Sequence, residues 1–140
     1  MYNDPKDLAR SALAILALAN EKGTDQDIII ALELAAVNMA NHVWDWHRLK
    51  YNLSKREKIS FAKIFPAWNI LREISNGIKH AKPIISDPNN TELREVEWED
   101  DDFWAADHGR KILFIMLNGE QRSVSAIVKN FATEYLRYIF

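Results

Sequence analysis

A proline at each end and an apolar stripe between them make the segment from Pro66 to Pro83 the most constrained part of this chain. Proline is well tolerated in the first turn of a helix, and it cannot continue a helix further along. Apolar residues recur between the two prolines at the three- and four-residue spacing of one helix face. The spacing predicts a helix over 66–81 that must bury this stripe against other elements. The stripe consists of Trp68, Leu71, Ile74 and Ile78.

A second face of the same predicted helix is polar. Arg72, Asn76 and His80 stand four residues apart and therefore share one side. Histidine can act as a general acid or base near neutral pH, and an arginine can hold developing negative charge. We therefore take these three as candidate catalytic residues, with Asn76 and Lys79 positioned to bind a phosphate group.

A long helix is predicted over 24–51, since a segment similar to a capping box opens it and nothing interrupts the pattern afterwards. Asn38, His42 and Asp45 lie four and three residues apart on one side of it. A histidine three residues before an aspartate can hydrogen-bond to it across one turn, which fixes its tautomer. The three residues are candidate ligand-binding residues.

Two other readings of these polar residues stay open. In the first, the pair of His42 and Asp45 is a local surface feature or belongs to a buried polar network that fixes the register of two helices. In the second, His42 and Asp45 join His80 in a metal site. The histidine spacing matches no common zinc signature, so no metal ligand is assigned.

The remaining segments predict an α+β domain dominated by helices. Apolar spacing and caps indicate further helices at each end of the chain and a short basic helix in the middle. Asn118-Gly119 between two extended runs is typical of a two-residue hairpin turn. The expected architecture is a bundle of three to five helices with a small antiparallel sheet and a C-terminal helix. The predicted segments are helices over 4–22, 54–64 and from about 125, and strands over 94–98, 111–117 and 120–124.

Length and composition are consistent with a single domain over residues 1–140. It divides into a helical part, 1–83, and a strand region with the closing helix, 84–140. The chain contains no cysteine, which excludes disulfides, thiolate metal sites and a cysteine nucleophile. The first apolar stretch, 9–19, contains a charge and is too short to cross a bilayer. We expect a cytoplasmic protein without membrane association or cofactor.

The charged residues are strongly segregated along the chain. Residues 47–83 carry nine lysines and arginines against two glutamates, whereas residues 84–109 carry nine acidic residues against one arginine. The two blocks can neutralise each other within the fold or between subunits. Alternatively, the basic block forms an anion-binding face, with phosphate as the obvious anion.

The segments around His42 and around His80 each resemble a motif of known protein families. A set of small uncharacterised bacterial and phage proteins shares an H-x-x-D-W segment and an L-R-D-x-x-N-x-x-K-H segment. The second segment is also similar to the R-N-x-x-x-H motif of HEPN domains, helical bundles in which that motif forms an RNase site, usually in a dimer. Asn76 and His80 fall on the motif's Asn and His, Ser75 occupies its Arg position, and Arg72 lies one turn earlier. The matching residues are His42-x-x-Asp45-Trp46 and Leu71-Arg72-Glu73-Ile74-x-Asn76-Gly77-x-Lys79-His80.

The resemblance implies a HEPN-like domain with a degenerate RNase motif that binds RNA or another phosphate-bearing ligand, with a homodimer as the expected assembly. The alternative is a non-catalytic protein-interaction module in which the polar residues form a structural network.

Overall fold

The computed structural model of the chain describes residues 4–21, 23–80, 93–97, 111–117 and 119–140. Within these residues, helices dominate and three strands form one small antiparallel sheet, which confirms the predicted α+β architecture. The helices are α1 (Pro5–Ala19), α2 (Gln26–Lys50), α3 (Lys58–Ile64), α4 (Pro66–His80) and α5 (Val124–Arg137), with a 3₁₀ turn at Lys55–Glu57 before α3. The strands are β1 (Leu93–Glu97), β2 (Lys111–Leu117) and β3 (Glu120–Ser123).

Side-chain caps begin the first two helices. The Asp4 carboxylate accepts a hydrogen bond from the Lys6 backbone N–H at 2.8 Å, as expected for the residue before Pro5. Helix α2 begins later than predicted because Asp25, not Thr24, is its cap. The Asp25 carboxylate accepts from the Asp27 N–H at 2.9 Å, whereas the Thr24 hydroxyl donates backwards to the Glu21 carbonyl at 2.8 Å.

The basic segment after α2 is less regular than predicted. Glu57 accepts a hydrogen bond from the Ser54 backbone N–H at 2.9 Å, which is one half of the expected capping box. The first turn is 3₁₀, and α-helical geometry begins only at Lys58. Phe65 then adopts an extended conformation, with φ −121° and ψ 76°, before Pro66 opens α4. A residue preceding proline is pushed out of helical geometry, so Phe65 interrupts the helix and forms the corner between α3 and α4.

Strand β2 lies in the middle of the sheet, between β1 and β3. Leu117 pairs with Glu120 across the hairpin, and Gly119 has a φ of +82°. That value lies in the left-handed region that glycine reaches without a steric penalty, as the predicted turn requires. Asn118 lies outside the described residues. Leu113 and Ile115 are buried, which shows that one face of β2 packs on the helical core.

An aromatic cluster joins four of the helices. Phe61 of α3 is its centre, with ring centroids 5.1 Å from Trp44, 4.9 Å from Phe65 and 5.1 Å from Trp68. Phe131 of α5 packs edge-on against Phe65, at 5.6 Å. All five side chains are buried. The cluster holds the corner between α3 and α4 against α2 and α5.

Among the helices of the described ranges, none combines the length and apolar character needed to span a bilayer.

Candidate functional site

Ser75 is the side chain through which α4 meets the polar face of α2. Its hydroxyl donates to Asn38 Oδ1 at 2.9 Å, and Asn41 Nδ2 donates to Ser75 Oγ at 3.4 Å. Ser75 is only 9% exposed, so water has little access to these bonds. Trp68 adds a third link, because its Nε1–H donates to the Asn41 backbone carbonyl at 3.0 Å. These contacts fix the rotation of α4 relative to α2.

That rotation determines where the predicted polar residues of α4 lie. Since Ser75 faces α2, the next residue, Asn76, lies about 100° further around the helix and is exposed. Arg72 is half-buried one turn before Asn76. The side chains of Lys79 and His80 lie outside the described residues. Whether they join Arg72 and Asn76 in one site therefore stays a prediction.

His42 and Asp45 form the hydrogen bond that their spacing predicts. His42 Nδ1 lies 3.1 Å from Asp45 Oδ2, with side-chain exposures of 59% and 62%. Both groups are therefore well solvated, and the pair stabilises the surface of α2 only weakly. Among the described side chains, no hydrogen bond joins either residue to Asn76. Of this predicted set, only Asn38 takes part in the junction with α4.

A groove of about 490 Å³ opens between the facing sides of α3 and α4. Its lining from α3 includes residues three and four positions apart, which share one helix face, and its lining from α4 follows the same pattern. Cationic residues of both helices line this space. We call it the basic groove and define it by Lys58, Ile59, Ala62, Lys63, Trp68, Asn69 and Arg72.

Arg72 is held in place at the α4 side of the basic groove. Its Nε and Nη2 donate to Asn69 Oδ1 at 3.3 and 3.0 Å, and Nη2 also lies 3.5 Å from Glu73 Oε1. The guanidinium carbon stands 5.9 Å from the centre of the Trp68 ring, within the range of a cation–π contact. Nη1 has no hydrogen-bond partner among the described residues. One edge of an oriented guanidinium is therefore available to a ligand.

The two lysines on the α3 side are not neutralised within the described part of the chain. No carboxylate of those residues lies within ion-pair distance of Lys58 or Lys63. The nearby Glu57 carboxylate is instead hydrogen-bonded to the Ser54 backbone. The groove therefore carries two uncompensated ammonium groups and one partly compensated guanidinium, which attracts anions.

The sequence identified only part of this groove. Arg72 was predicted from its place on the polar face of α4. The charge segregation includes Lys58 and Lys63 in the basic block but does not distinguish them from the other cations there. Asn69 was missed, although its position three residues before Arg72 is the spacing at which helical side chains meet.

A buried polar pair was also missed. His47 of α2 is 5% exposed, and its Nδ1 lies 2.7 Å from the Tyr135 hydroxyl oxygen of α5. Burial lowers the pKa of His47 from 6.5 to about 4, with a smaller contribution from the positive charge of Lys50. Burial likewise raises the pKa of Tyr135 above its ordinary value. Both groups are neutral at physiological pH, as suits the aromatic interior.

The aromatic residues at the end of the chain pack beside this pair. Phe140 lies 4.6 Å from the His47 ring and 5.6 Å from the Tyr51 ring, measured between centroids. Tyr138 lies 5.3 Å from Phe65. Among the described residues, the aromatic side chains at 138 and 140 therefore pack against α2 and the residues that end α2 and α3.

No group of three or more histidine, aspartate or glutamate side chains in the described ranges is arranged to hold a metal ion.

Comparison of the chain with protein-family models, with curated proteins and with solved structures gives no match in any of the three.

Proposed function

We propose that this protein binds RNA or another phosphate-bearing ligand in the basic groove. The observation that carries the proposal is that Lys58, Lys63 and Arg72 line one concave space. Arginine and lysine supply most protein contacts to phosphate, and a concave site focuses their field on the ligand. Asn69 strengthens the argument, because it holds the Arg72 guanidinium in one orientation before any ligand arrives.

The proposal extends to chemistry on α4. In an RNase, His80 would exchange a proton with the 2′-hydroxyl of the substrate or with the leaving group, since RNA supplies its own nucleophile. Arg72 would stabilise the negative charge that develops on the phosphate, while Asn76 and Lys79 would position it. The match of Asn76 and His80 to the R-N-x-x-x-H motif supports this extension, with Ser75 at the motif's arginine position.

Binding is tested by fluorescence anisotropy with a labelled single-stranded RNA at several salt concentrations. If three cations contact phosphate, the affinity should fall about 20-fold between 50 and 200 mM salt, because each contact with a single strand contributes about 0.7 to the salt exponent. Lys63→Gln should weaken binding and lower that exponent by about 0.7.

Lys129→Gln is the matched control, since this lysine is exposed on α5 and does not line the groove. If both variants weaken binding equally, the RNA is held by diffuse charge and the groove is not its site. For the catalytic extension, His80→Ala should abolish RNA cleavage without lowering the melting temperature. A variant that chiefly destabilises the fold would assign His80 a structural role.

A second candidate is a non-catalytic interaction module, and the Ser75 junction is the observation that favours it. Hydrogen bonds from Ser75 to Asn38 and from Asn41 to Ser75 join two helices with little access to water. Such a network fixes helix register without requiring a ligand. Under this alternative, RNA of any sequence would fail to bind at 50 mM salt.

A further inference from the structure

We infer that the basic groove selects a terminal phosphomonoester over the phosphodiesters of an RNA backbone. This inference rests on the proposed function and names the chemical class of its ligand: a dianionic phosphate at one end of an RNA strand or on a small molecule.

The first support is the balance of charge. Lys58, Lys63 and Arg72 bring three positive charges to the groove, and Glu73 offsets part of the arginine's charge from 3.5 Å. The groove therefore carries between two and three positive charges in a concave space. A phosphomonoester carries about −1.5 to −2 at pH 7, whereas each phosphodiester carries −1. A single monoester phosphate therefore balances more of this positive charge than a single phosphodiester does.

The second support is the arrangement of hydrogen-bond donors. Lys58 and Lys63 line the groove from α3, and Arg72, whose Nη1 has no hydrogen-bond partner among the described residues, lines it from α4. A monoester offers three terminal oxygens, one for each cationic group. A diester offers only two non-bridging oxygens, and the chain must also continue on both sides of it. A groove of about 490 Å³ has the size of a small-ligand pocket.

The third support is the apolar wall beside the lysines. Ile59 is 67% exposed, yet it lines the groove together with Ala62. Among the described residues, Ile59 does not belong to the hydrophobic core. It provides a surface on which the group that carries the phosphate can rest, such as a terminal nucleoside or another partly apolar body.

The test compares matched ligands with the full chain at pH 7.5. One RNA octamer is prepared with a 5′-phosphate, with a 3′-phosphate and with hydroxyl groups at both ends. Phenyl phosphate and inorganic phosphate serve as small-molecule probes in calorimetry. We expect one of the phosphorylated octamers to bind about tenfold more tightly than the hydroxyl form, which corresponds to one additional charge-assisted hydrogen bond. This advantage should shrink at pH 5, because a monoester takes up a proton with a pKa of about 6.

Two pairs of variants connect the effect to the groove. Lys63→Gln should remove the advantage of the phosphorylated end, whereas Lys129→Gln should keep it. Ile59→Ser should weaken binding of phenyl phosphate but not of inorganic phosphate. Ile64→Ser is the control for that change, because Ile64 is an exposed isoleucine of the same helix that does not line the groove.

The outcomes separate the inference from the proposed function. Equal binding of all three octamers at 50 mM salt would overturn the monoester inference and leave RNA binding intact. Binding of phenyl phosphate without any octamer would support the monoester class and identify a small molecule as its source. If no octamer and neither small probe binds, both the inference and the proposed function are wrong.

Discussion

Burial of His47 predicts that the fold loses stability as the pH falls from about 6.5 towards 4. The ring is 5% exposed, is hydrogen-bonded to Tyr135, and packs 5.2 Å from Phe61. Its pKa is lowered from 6.5 to about 4, chiefly by burial. In the unfolded chain the same imidazole regains its ordinary pKa and takes up a proton that the folded protein excludes.

The direction and size of the effect follow from this difference. Between pH 6.5 and 4 the unfolded state binds more protons, so the free energy of unfolding falls with the pH and levels off below 4. Each pKa unit corresponds to about 1.4 kcal/mol, so the shift from 6.5 to about 4 sets an upper limit of about 3.5 kcal/mol. A domain of this size has a total stability of about 5–15 kcal/mol, so the loss is measurable.

Urea unfolding followed by tryptophan fluorescence between pH 7.5 and 4 tests this prediction. The double variant His47→Phe/Tyr135→Phe removes the titrating group without leaving the tyrosine hydroxyl unpaired. As the pH falls from 6.5 to 4, the free energy of unfolding of the parent chain should decrease relative to that of the double variant. His42→Gln, which replaces an exposed histidine, should show the same pH dependence as the parent chain. Parallel pH profiles for the chain and the double variant would refute the reasoning.

Three further predictions concern packing and backbone. Ser75→Ala should cost about 1 kcal/mol through the loss of its hydrogen bonds, measured by urea unfolding against the exposed control Ser60→Ala; equal effects would exclude a structural role for the junction. Trp68→Phe should lower stability by about 2–3 kcal/mol, because it leaves a small cavity and removes the donor to the Asn41 carbonyl; a calorimetric melting temperature unchanged from the parent would contradict this. Gly119→Ala should cost about 1 kcal/mol, since alanine is strained at a φ of +82°, and an unchanged urea midpoint would mean that the turn relaxes.

Most element boundaries could be predicted because their causes lie within a few residues. Asp4 before Pro5 caps α1, Pro66 opens α4, and Gly119 permits the hairpin turn, each through chemistry local to that position. The start of α2 was predicted one residue too early, because two neighbouring residues offer the same local capping chemistry. Thr24 and Asp25 are both good caps, and the choice between them depends on the Thr24 hydroxyl, which bonds back to the end of the preceding helix.

The candidate site could be predicted only in part. The spacing of His42 and Asp45 was enough to predict their hydrogen bond, since both residues lie on one helix. Arg72 was identified, but its partner Asn69 and the lysines of α3 were not, because the groove exists only once two helices are set at an angle.

The amino-acid sequence by itself determined which segments become helices and strands and which side of each helix is apolar. It also set the charge that collects around residues 47–83. The tertiary structure alone decided that Ser75 and not Asn76 meets α2, and that His47 finds Tyr135 across 88 residues of sequence. Helix caps and turns act over a few bonds, whereas these contacts depend on how each helix is rotated against its neighbours, and the packing of the aromatic cluster fixes that rotation.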